Sequence, residues 1–422
     1  MVLLINPWIY DFAAYNFGIK PVGLLRIASH LRSRTEVCLL DCLENSARSK
    51  KEYGFSKIRK ERVEKPDALM GISRPYFRYG ISIESFKEKI SKMETPEHIY
   101  MTSGMTYWYQ GVMLAVRLLK ESFPGTPVTL GGVYATLCPS HAGAKSGADY
   151  VYVGKYEGEN KEYFPAYDLL AEKDILPIRL SSGCPFGCSY CASNILDPGF
   201  EQYNPAEVSE EIMHCHRAFG TNNFVFYDDA LCYKPDSGIK KLLRLIMDSG
   251  VKLNFHTPNG LHAAFLDEEL ACLLKETGFK APRISLETSD KELQRFTGGK
   301  VCNDDIKKAV FLLEEAGFER NQIGVYVLIG YPWLSLEKTV DDIRFVASLG
   351  AKVVLASYSP IPGTEDYTRL IESGIMREDT DPVWHNKAIF AERLTPGATE
   401  KIARTRRMVS KLYNGSMHKN FI

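Results

Sequence analysis

Three cysteines fall within the eleven-residue segment Ser181-Ser182-Gly183-Cys184-Pro185-Phe186-Gly187-Cys188-Ser189-Tyr190-Cys191, whose glycines and proline suit a tight loop. Thiolates this close in sequence can converge on one soft metal centre. Tetrahedral zinc and ordinary ferredoxin clusters take four protein ligands, and no fourth Cys or His lies close by in the sequence. A cubane iron–sulfur cluster on three cysteines keeps one iron open, as a catalytic zinc keeps an open position. The competing reading completes a zinc loop with the distant His214-Cys215-His216, but those residues sit where the spacing predicts an amphipathic helix.

A loop with such chemistry has to be held by regular elements, and the sequence supplies two sets of them. Before it, apolar runs at Val2 to Ile5, Val37 to Leu40, His98 to Thr102, Val128 to Leu130 and Tyr150 to Val153 alternate with helical spacing at Val22 to Leu31 and Val112 to Phe123. This predicts an α/β fold, an N-terminal doubly wound, Rossmann-like or flavodoxin-like parallel sheet over residues 1–160. The stretch from about 45 to 97 breaks the rhythm, being charged and rich in turns, and reads as an insertion with one helix near Ile83 to Met93. Six further strands are expected at Ile178 to Ser182, Asn223 to Tyr227, Lys252 to His256, Arg283 to Glu287, Gly324 to Ile329 and Lys352 to Tyr358. The helices between them end at Gly220, Gly250, Gly278, Gly317 and Gly350, as helix C-termini commonly do. Six units are two short of a closed barrel. Residues 170–372 are therefore expected to form a partial (β/α)6 TIM-type barrel with its site at the C-terminal strand ends, and residues 373–422 a helical tail closing near Thr399 to Leu412.

Composition narrows the class. The 422 residues are 45% apolar, enough for two or three ordinary cores. The 52 basic residues balance 52 acidic ones, so no global field draws in nucleic acid or anionic lipid, and nucleic acid is not an expected partner. The N-terminal segment lacks a basic stretch and is broken by Pro7, and no apolar run is long enough for a membrane span. A cytoplasmic location is the expectation. Ten cysteines scattered along so long a chain read as reduced thiols or ligands, not as a disulfide scaffold.

The pattern Cys184, Cys188, Tyr190, Cys191 resembles the signature of the radical SAM superfamily, three cysteines with an aromatic residue before the last. The resemblance implies a [4Fe–4S] cluster on Cys184, Cys188 and Cys191, S-adenosylmethionine (SAM) chelated to the open iron, and reductive cleavage of SAM to a 5′-deoxyadenosyl radical. It also implies that the Tyr190 backbone meets the adenine. Asp228 and Asp229 stand where a Gly-Gly-Glu-like turn usually contacts the SAM amino group, although a helix-capping Asp pair is the alternative. Ser285 and Glu287 are implied at the SAM carboxylate and ribose, with Arg295 as a carboxylate partner. Val327 falls in a segment resembling an adenine-binding strand, or in a simply buried one. An electron donor such as flavodoxin or ferredoxin is implied as a partner. The substrate, a small molecule or a peptide, is not legible.

The order of the two halves is similar to the radical SAM subgroup with an N-terminal cobalamin-binding domain, on Pro21-Val22-Gly23-Leu24-Leu25, Leu130 to Thr136, and Gly147 to Val151 leading to Gly154 and Glu157. Gly131 and Gly132 would remove side chains where a planar cofactor approaches the backbone, or serve an ordinary tight turn. Ser103, Gly104, Met105 and Tyr134 would line the same crevice. The Asp-x-His-x-x-Gly motif that supplies a histidine to cobalt in other cobalamin proteins is missing. With cobalamin, methyl transfer is the commonest implication of the resemblance; without it, the first domain is a remnant that shapes the substrate pocket. A methylthiotransferase would need a second three-cysteine cluster, and Cys38, Cys42 and Cys138 are poorly spaced for one. An iron–sulfur electron carrier or redox sensor would need a fourth ligand and would leave the barrel without a purpose.

Overall fold

The computed structural model describes residues 1–15, 18–44, 57–156 and 164–413. Glu157 and residues 45–56 of the expected insertion lie outside them.

Five parallel strands form the N-terminal sheet. Val2–Asn6 pairs on one side with Val37–Asp41 and on the other with His98–Met101, which is followed outward by Val128–Leu130 and Tyr150–Val151. The order reverses between Val2–Asn6 and His98–Met101, so the loops after these two strands diverge and open a crevice at their C-terminal ends. Leu3 and Ile5 belong to the core formed with helix Tyr109–Ser122, while Val2 and Leu4 pack against helix Val22–Leu31 on the other face. Burial on both faces explains the unbroken apolar run Val2-Leu3-Leu4-Ile5, since a sheet covered on one side would alternate.

The insertion is more ordered than its composition suggests. Helix Ile83–Ser91 is present, capped by Ser82, whose hydroxyl accepts from the Ser85 N–H. Lys60–Val63 and Tyr76–Tyr79 also pair antiparallel with each other, and Tyr76–Tyr79 with Ile9–Asp11, to make a small sheet that the sequence reading left out. Lys60-Glu61-Arg62 is exposed, so no apolar alternation marked that strand.

In the second half, Ile175–Ile178, Asn223–Phe226 and Asn254–His256 form one parallel sheet, and Arg283–Glu287, Gly324–Ile329 and Lys352–Ser357 another. Parallel bridges Phe255 to Phe279 and Leu261 to Ile284 connect the two groups in chain order. One continuous core joins these strands to the helices outside them through Leu242, Leu270, Ile306 and Val346. Successive strand residues point to opposite faces, so Ile284, Leu286, Val325 and Val327, all in that core, face the helices, and Arg283, Ser285, Glu287 and Tyr326 face the interior. The first strand differs from the expected Ile178 to Ser182. The parallel segment is Ile175–Ile178, and Ser181–Gly183 turns away to pair antiparallel with Phe200–Gln202.

The closing helix spans Ala398–Tyr413, and the Tyr413 hydroxyl donates to Ala351 O at 2.9 Å. Ahead of it, Pro382–His385 and Ala391–Leu394 form a strap across both halves: Val383 and Ile389 join the N-terminal core, and Phe390 joins a core with Tyr331 and Tyr358. Its buried polar groups are paired. Asn386 donates to Asp11 at 3.0 Å, and His385 Nδ1 lies 3.0 Å from the Thr106 hydroxyl.

Candidate active site

The cysteine loop begins where the chain leaves the parallel sheet, and Asp228 forces that departure. Its Oδ1 accepts from the Leu180 N–H, the Ser181 N–H and the Ser181 hydroxyl at 2.9, 2.5 and 2.7 Å. Burial pushes the Asp228 carboxyl up to about 6, against these donors and Arg179. The carboxylate is 2% exposed and shapes the loop entrance instead of lying open to a ligand's ammonium. Asp229 is half-buried, and its charge is felt at Cys184, so the second aspartate lies nearer the loop's chemistry. Gly183 follows with φ +68°, and a Cβ there would meet Gly199 O at 1.8 Å. Only glycine fits this turn. Asp197 holds the same corner, accepting from the Gly183 N–H at 3.1 Å while paired with Arg179 and Lys155.

Cys184 is buried, Cys188 intermediate and Cys191 exposed. Burial pushes the Cys184 thiol up to about 11, and the Cys191 and Cys188 thiols and Asp229 add to the rise. Burial also raises Cys188, with Lys300 opposing and Cys191 adding. The three groups therefore share one charge environment. Yet among the described residues no three Cys, His, Asp or Glu side chains approach closely enough to hold a single metal ion. His214-Cys215-His216 lies in helix Pro205–Phe219 with Cys215 wholly buried in the core. Cys42 is likewise wholly buried.

Opposite the loop stands a pair that the sequence reading missed in part. Lys300 Nζ donates to Glu287 Oε1 at 3.0 Å, with the two side chains only 14% and 16% exposed, and it lies 5.6 Å from the Tyr190 ring centroid. Burial pulls the Lys300 ammonium down, but Glu287, Tyr190 and Cys188 together outweigh it and hold the group well above its ordinary value. Glu287 has φ +71° and sits at a register shift in the strand, a strained conformation for a non-glycine residue. The next two residues hold it there. Asp342 Oδ1 accepts from the Ser289 N–H and hydroxyl, both at 2.6 Å, and from the Thr288 hydroxyl at 3.2 Å. Ser285 lies on the same inner face, so close that a Cβ on Gly260 would meet its Oγ at 2.6 Å.

Two expected positions point elsewhere. Arg295 is exposed on helix Lys291–Phe296, and its side chain makes no hydrogen bond or ion pair among the described residues; Lys300 is the cation beside the cysteine loop. Val327 is wholly buried among the outer helices, because strand alternation gives the inner face to Tyr326, whose hydroxyl donates to Pro258 O at 2.7 Å. A lysine that pairs only through tertiary contact carries no motif, so the signal for Lys300 was absent.

At the end of the N-terminal sheet, the candidates divide. Gly104 and Met105 are exposed, and Gly131 has nothing near a position where a Cβ would stand. Gly132, with φ +86°, is packed against Ser103 O at 2.8 Å from its would-be Cβ, so its freedom serves the turn. Ser103 is buried with its hydroxyl donating to Met105 O, and Tyr134 is wholly buried with its hydroxyl 2.6 Å from His141 Nδ1. These last three are held inside the domain and present no side chain to the crevice. Helix Val133–Leu137 touches helix Ser193–Leu196, which continues the cysteine loop, so crevice and loop adjoin.

Parallel strand arrays with a three-cysteine loop at a C-terminal strand edge define an α/β protein. Residues 178–343 match the radical SAM superfamily, and the chain carries a domain of that family, whose members use a [4Fe–4S] cluster and SAM and need a reductant. An uncharacterized methyltransferase of Pyrococcus horikoshii is 24% identical over 249 residues, 55% of this chain and 52% of that protein. The chain spans about half the length of the curated relatives it matches. In fold it is similar to TsrM of Kitasatospora setae, a radical SAM methyltransferase solved with cobalamin and a [4Fe–4S] cluster, with a TM-score of 0.65 at 15% identity over 92% of this chain and 84% of that one. OxsB, a cobalamin-dependent radical SAM enzyme, superposes with a TM-score of 0.54 at 12% identity over 95% of this chain and 56% of that one. No helix among the described residues is long and apolar enough to cross a membrane.

Proposed function

We propose that this radical SAM enzyme binds its cluster through Cys184, Cys188 and Cys191, cleaves SAM there, and transfers a methyl group with the help of cobalamin held at the end of the N-terminal sheet. The observation that carries the reading is the loop itself. Its three cysteines fall within eight residues where the chain leaves the parallel sheet, ranging from buried Cys184 to exposed Cys191, a spacing that suits a cluster with one open position. Held by Cys184, Cys188 and Cys191, a [4Fe–4S] cluster would supply the electron for reductive cleavage of SAM.

The chain's own residues supply position and charge. Lys300, held by Glu287, is the cation we assign to the SAM carboxylate in place of Arg295, and Asp229 is the acceptor we assign to its amino group. Glu287 and Ser285 face the ribose from the inner side of their strand. Tyr190 contributes its backbone to the adenine and its ring to the cover over Lys300.

Residues 1–160 are read as a Rossmann-like domain, 170–372 as a partial barrel and 373–422 as the tail that straps them together. For cobalamin, exposed Met105 and Gly131, with nothing within 4 Å of where a Cβ would stand, leave an edge at the switch point that a flat ligand can approach, and helix Val133–Leu137 after it touches helix Ser193–Leu196 of the cysteine loop. The likeness in fold to TsrM and OxsB across nearly the whole chain supports the same reading, and the related methyltransferase supports methyl transfer. The test is anaerobic reconstitution with iron, sulfide and cobalamin, then SAM labelled in its methyl group. Bound corrinoid that acquires the label is the expected outcome; iron and 5′-deoxyadenosine without bound corrinoid would overturn the cobalamin half alone.

A further inference from the structure

The far end of the second strand array carries positive charge that no described carboxylate answers. Arg283, Gly324 and Lys352 are partners in one register row across the last three strands. Strand alternation turns all three inward, since Ile284, Val325 and Val353 belong to the outer core. The row lies at the N-terminal strand ends, about 13 Å along the strand from Glu287, and so away from the cysteine loop. Gly324 brings the two cations together. A Cβ there would stand 2.2 Å from Arg283 Nη1 and 2.7 Å from Arg283 Cδ, so the arginine lies across the glycine toward Lys352. Any side chain at this position would push it off.

Arg283 Nη1 is buried without a hydrogen-bond partner among the described residues, and Arg283 and Lys352 are both half-buried. Burial pulls the Lys352 ammonium down, and the Arg283 charge adds to the fall. Burial also lowers Arg283, opposed by the Tyr326 phenol. No described carboxylate acts on either cation. Glu319, in the turn ahead of Gly324, and Asp174, ahead of the first strand, are exposed and are felt by neither. Glu287, at the other end of the strand, is taken by Lys300. Further positive charge comes from Lys280, which acts on His256 in the same interior. Like charges held side by side and partly desolvated cost free energy that an anion between them offsets. A guanidinium fork beside an ammonium is a donor set for an oxyanion, and two positive charges match a dianion.

We propose that Arg283 and Lys352, brought together over Gly324, are a binding site for a phosphate dianion, either free phosphate or the phosphoryl group of an organic ligand. The site uses neither the cysteine loop nor SAM, so it stands or falls independently of the cluster reading.

Inorganic phosphate, and separately glycerol 3-phosphate, are titrated calorimetrically into the whole chain at fixed ionic strength, for wild type, Arg283→Met, Lys352→Met and Gly324→Ala. Wild type is expected to saturate at one site. Each variant is expected to bind at least about tenfold more weakly, the effect of losing one charge-assisted hydrogen bond. Gly324→Ala keeps both charges and displaces only the guanidinium, so its loss reports the geometry of the row. Thermal unfolding then separates a ligand site from a structural pair. The ligand is expected to raise the melting temperature of wild type and to leave that of the variants unchanged. In ligand-free buffer Lys352→Met should melt no lower than wild type, because it removes one of two like charges. A response to glycerol 3-phosphate without one to free phosphate supports the site and identifies its source as a phosphorylated ligand. Saturable binding of neither probe overturns the proposal. Binding that all three variants retain also overturns it, since the phosphate then sits elsewhere.

Discussion

The N-terminal sheet and the parallel strand array of the second half end in loops of opposite character. At the mouth of the second array, backbone and side chains are held in conformations that a protein adopts only under constraint: Glu287 at φ +71° pinned through Asp342, Gly183 folded against Gly199 O, and Asp228 buried on three donors. At the end of the N-terminal sheet, the left-handed Gly132 and the buried Tyr134 satisfy their own neighbours, and the space left open is bounded by Gly104, Met105 and Gly131. Strain and buried charge collect where chemistry must be positioned. The comparison thus favours the cysteine loop over the end of the first sheet as the place of the proposed chemistry.

The contrast can be broken most severely at Gly183. Gly183→Ala puts a Cβ where Gly199 O lies 1.8 Å away, and it should abolish iron loading after anaerobic reconstitution as well as lower the melting temperature. Gly132→Ala makes the matching change in the other sheet, 2.8 Å from Ser103 O. It should cost on the order of 1–3 kcal/mol of stability and leave iron content at the wild-type level. Iron loss in both variants would erase the distinction.

Next in size is the buried pair. Removing one partner leaves the other charge unpaired in a largely desolvated site, a loss of about 3–5 kcal/mol. Lys300→Met should therefore lower the stability of the fold by that amount, and loss of its charged hydrogen bond to SAM, about 1.5–3 kcal/mol, should weaken SAM binding about tenfold or more, while Arg295→Met should change SAM affinity less than about twofold. Isothermal titration of SAM into the reconstituted proteins checks both, and a larger loss from Arg295→Met would restore the sequence expectation.

How much of this was legible depended on whether a signal was local. The cysteine loop and the strands Arg283–Glu287 and Gly324–Ile329 carry their own spacing, so they appear in the sequence where the structure has them. Val327 was misassigned because an apolar run such as Gly324 to Ile329 does not reveal which alternate residues face inward. Lys300 has no motif at all, and its role arises only when the turn after Phe296 folds back on the loop. The strap buries Val383 and Ile389 in one core and Phe390 in another, a relation that only the assembled halves define.

The smallest expected effect concerns that strap. Burial pushes the His385 imidazole down to about 3, with His141 adding to the fall, so the folded protein resists protonating it while the unfolded chain takes a proton near 6.5. Its contribution to stability is complete above pH 6.5 and is lost as pH falls from there toward 3. His385→Asn should flatten the acid limb of a stability profile followed by urea unfolding, and an unchanged slope would show that the strap does not set it.

The central claim is that the three cysteines hold the cluster at which SAM is cleaved. Wild-type protein and the Cys184→Ala/Cys188→Ala/Cys191→Ala variant, both reconstituted anaerobically with iron and sulfide, are reduced with dithionite in the presence of SAM, and 5′-deoxyadenosine is quantified. Product from the wild type and none from the variant is the result expected here; equal yields from both, or none from a wild type that has bound iron, would contradict it.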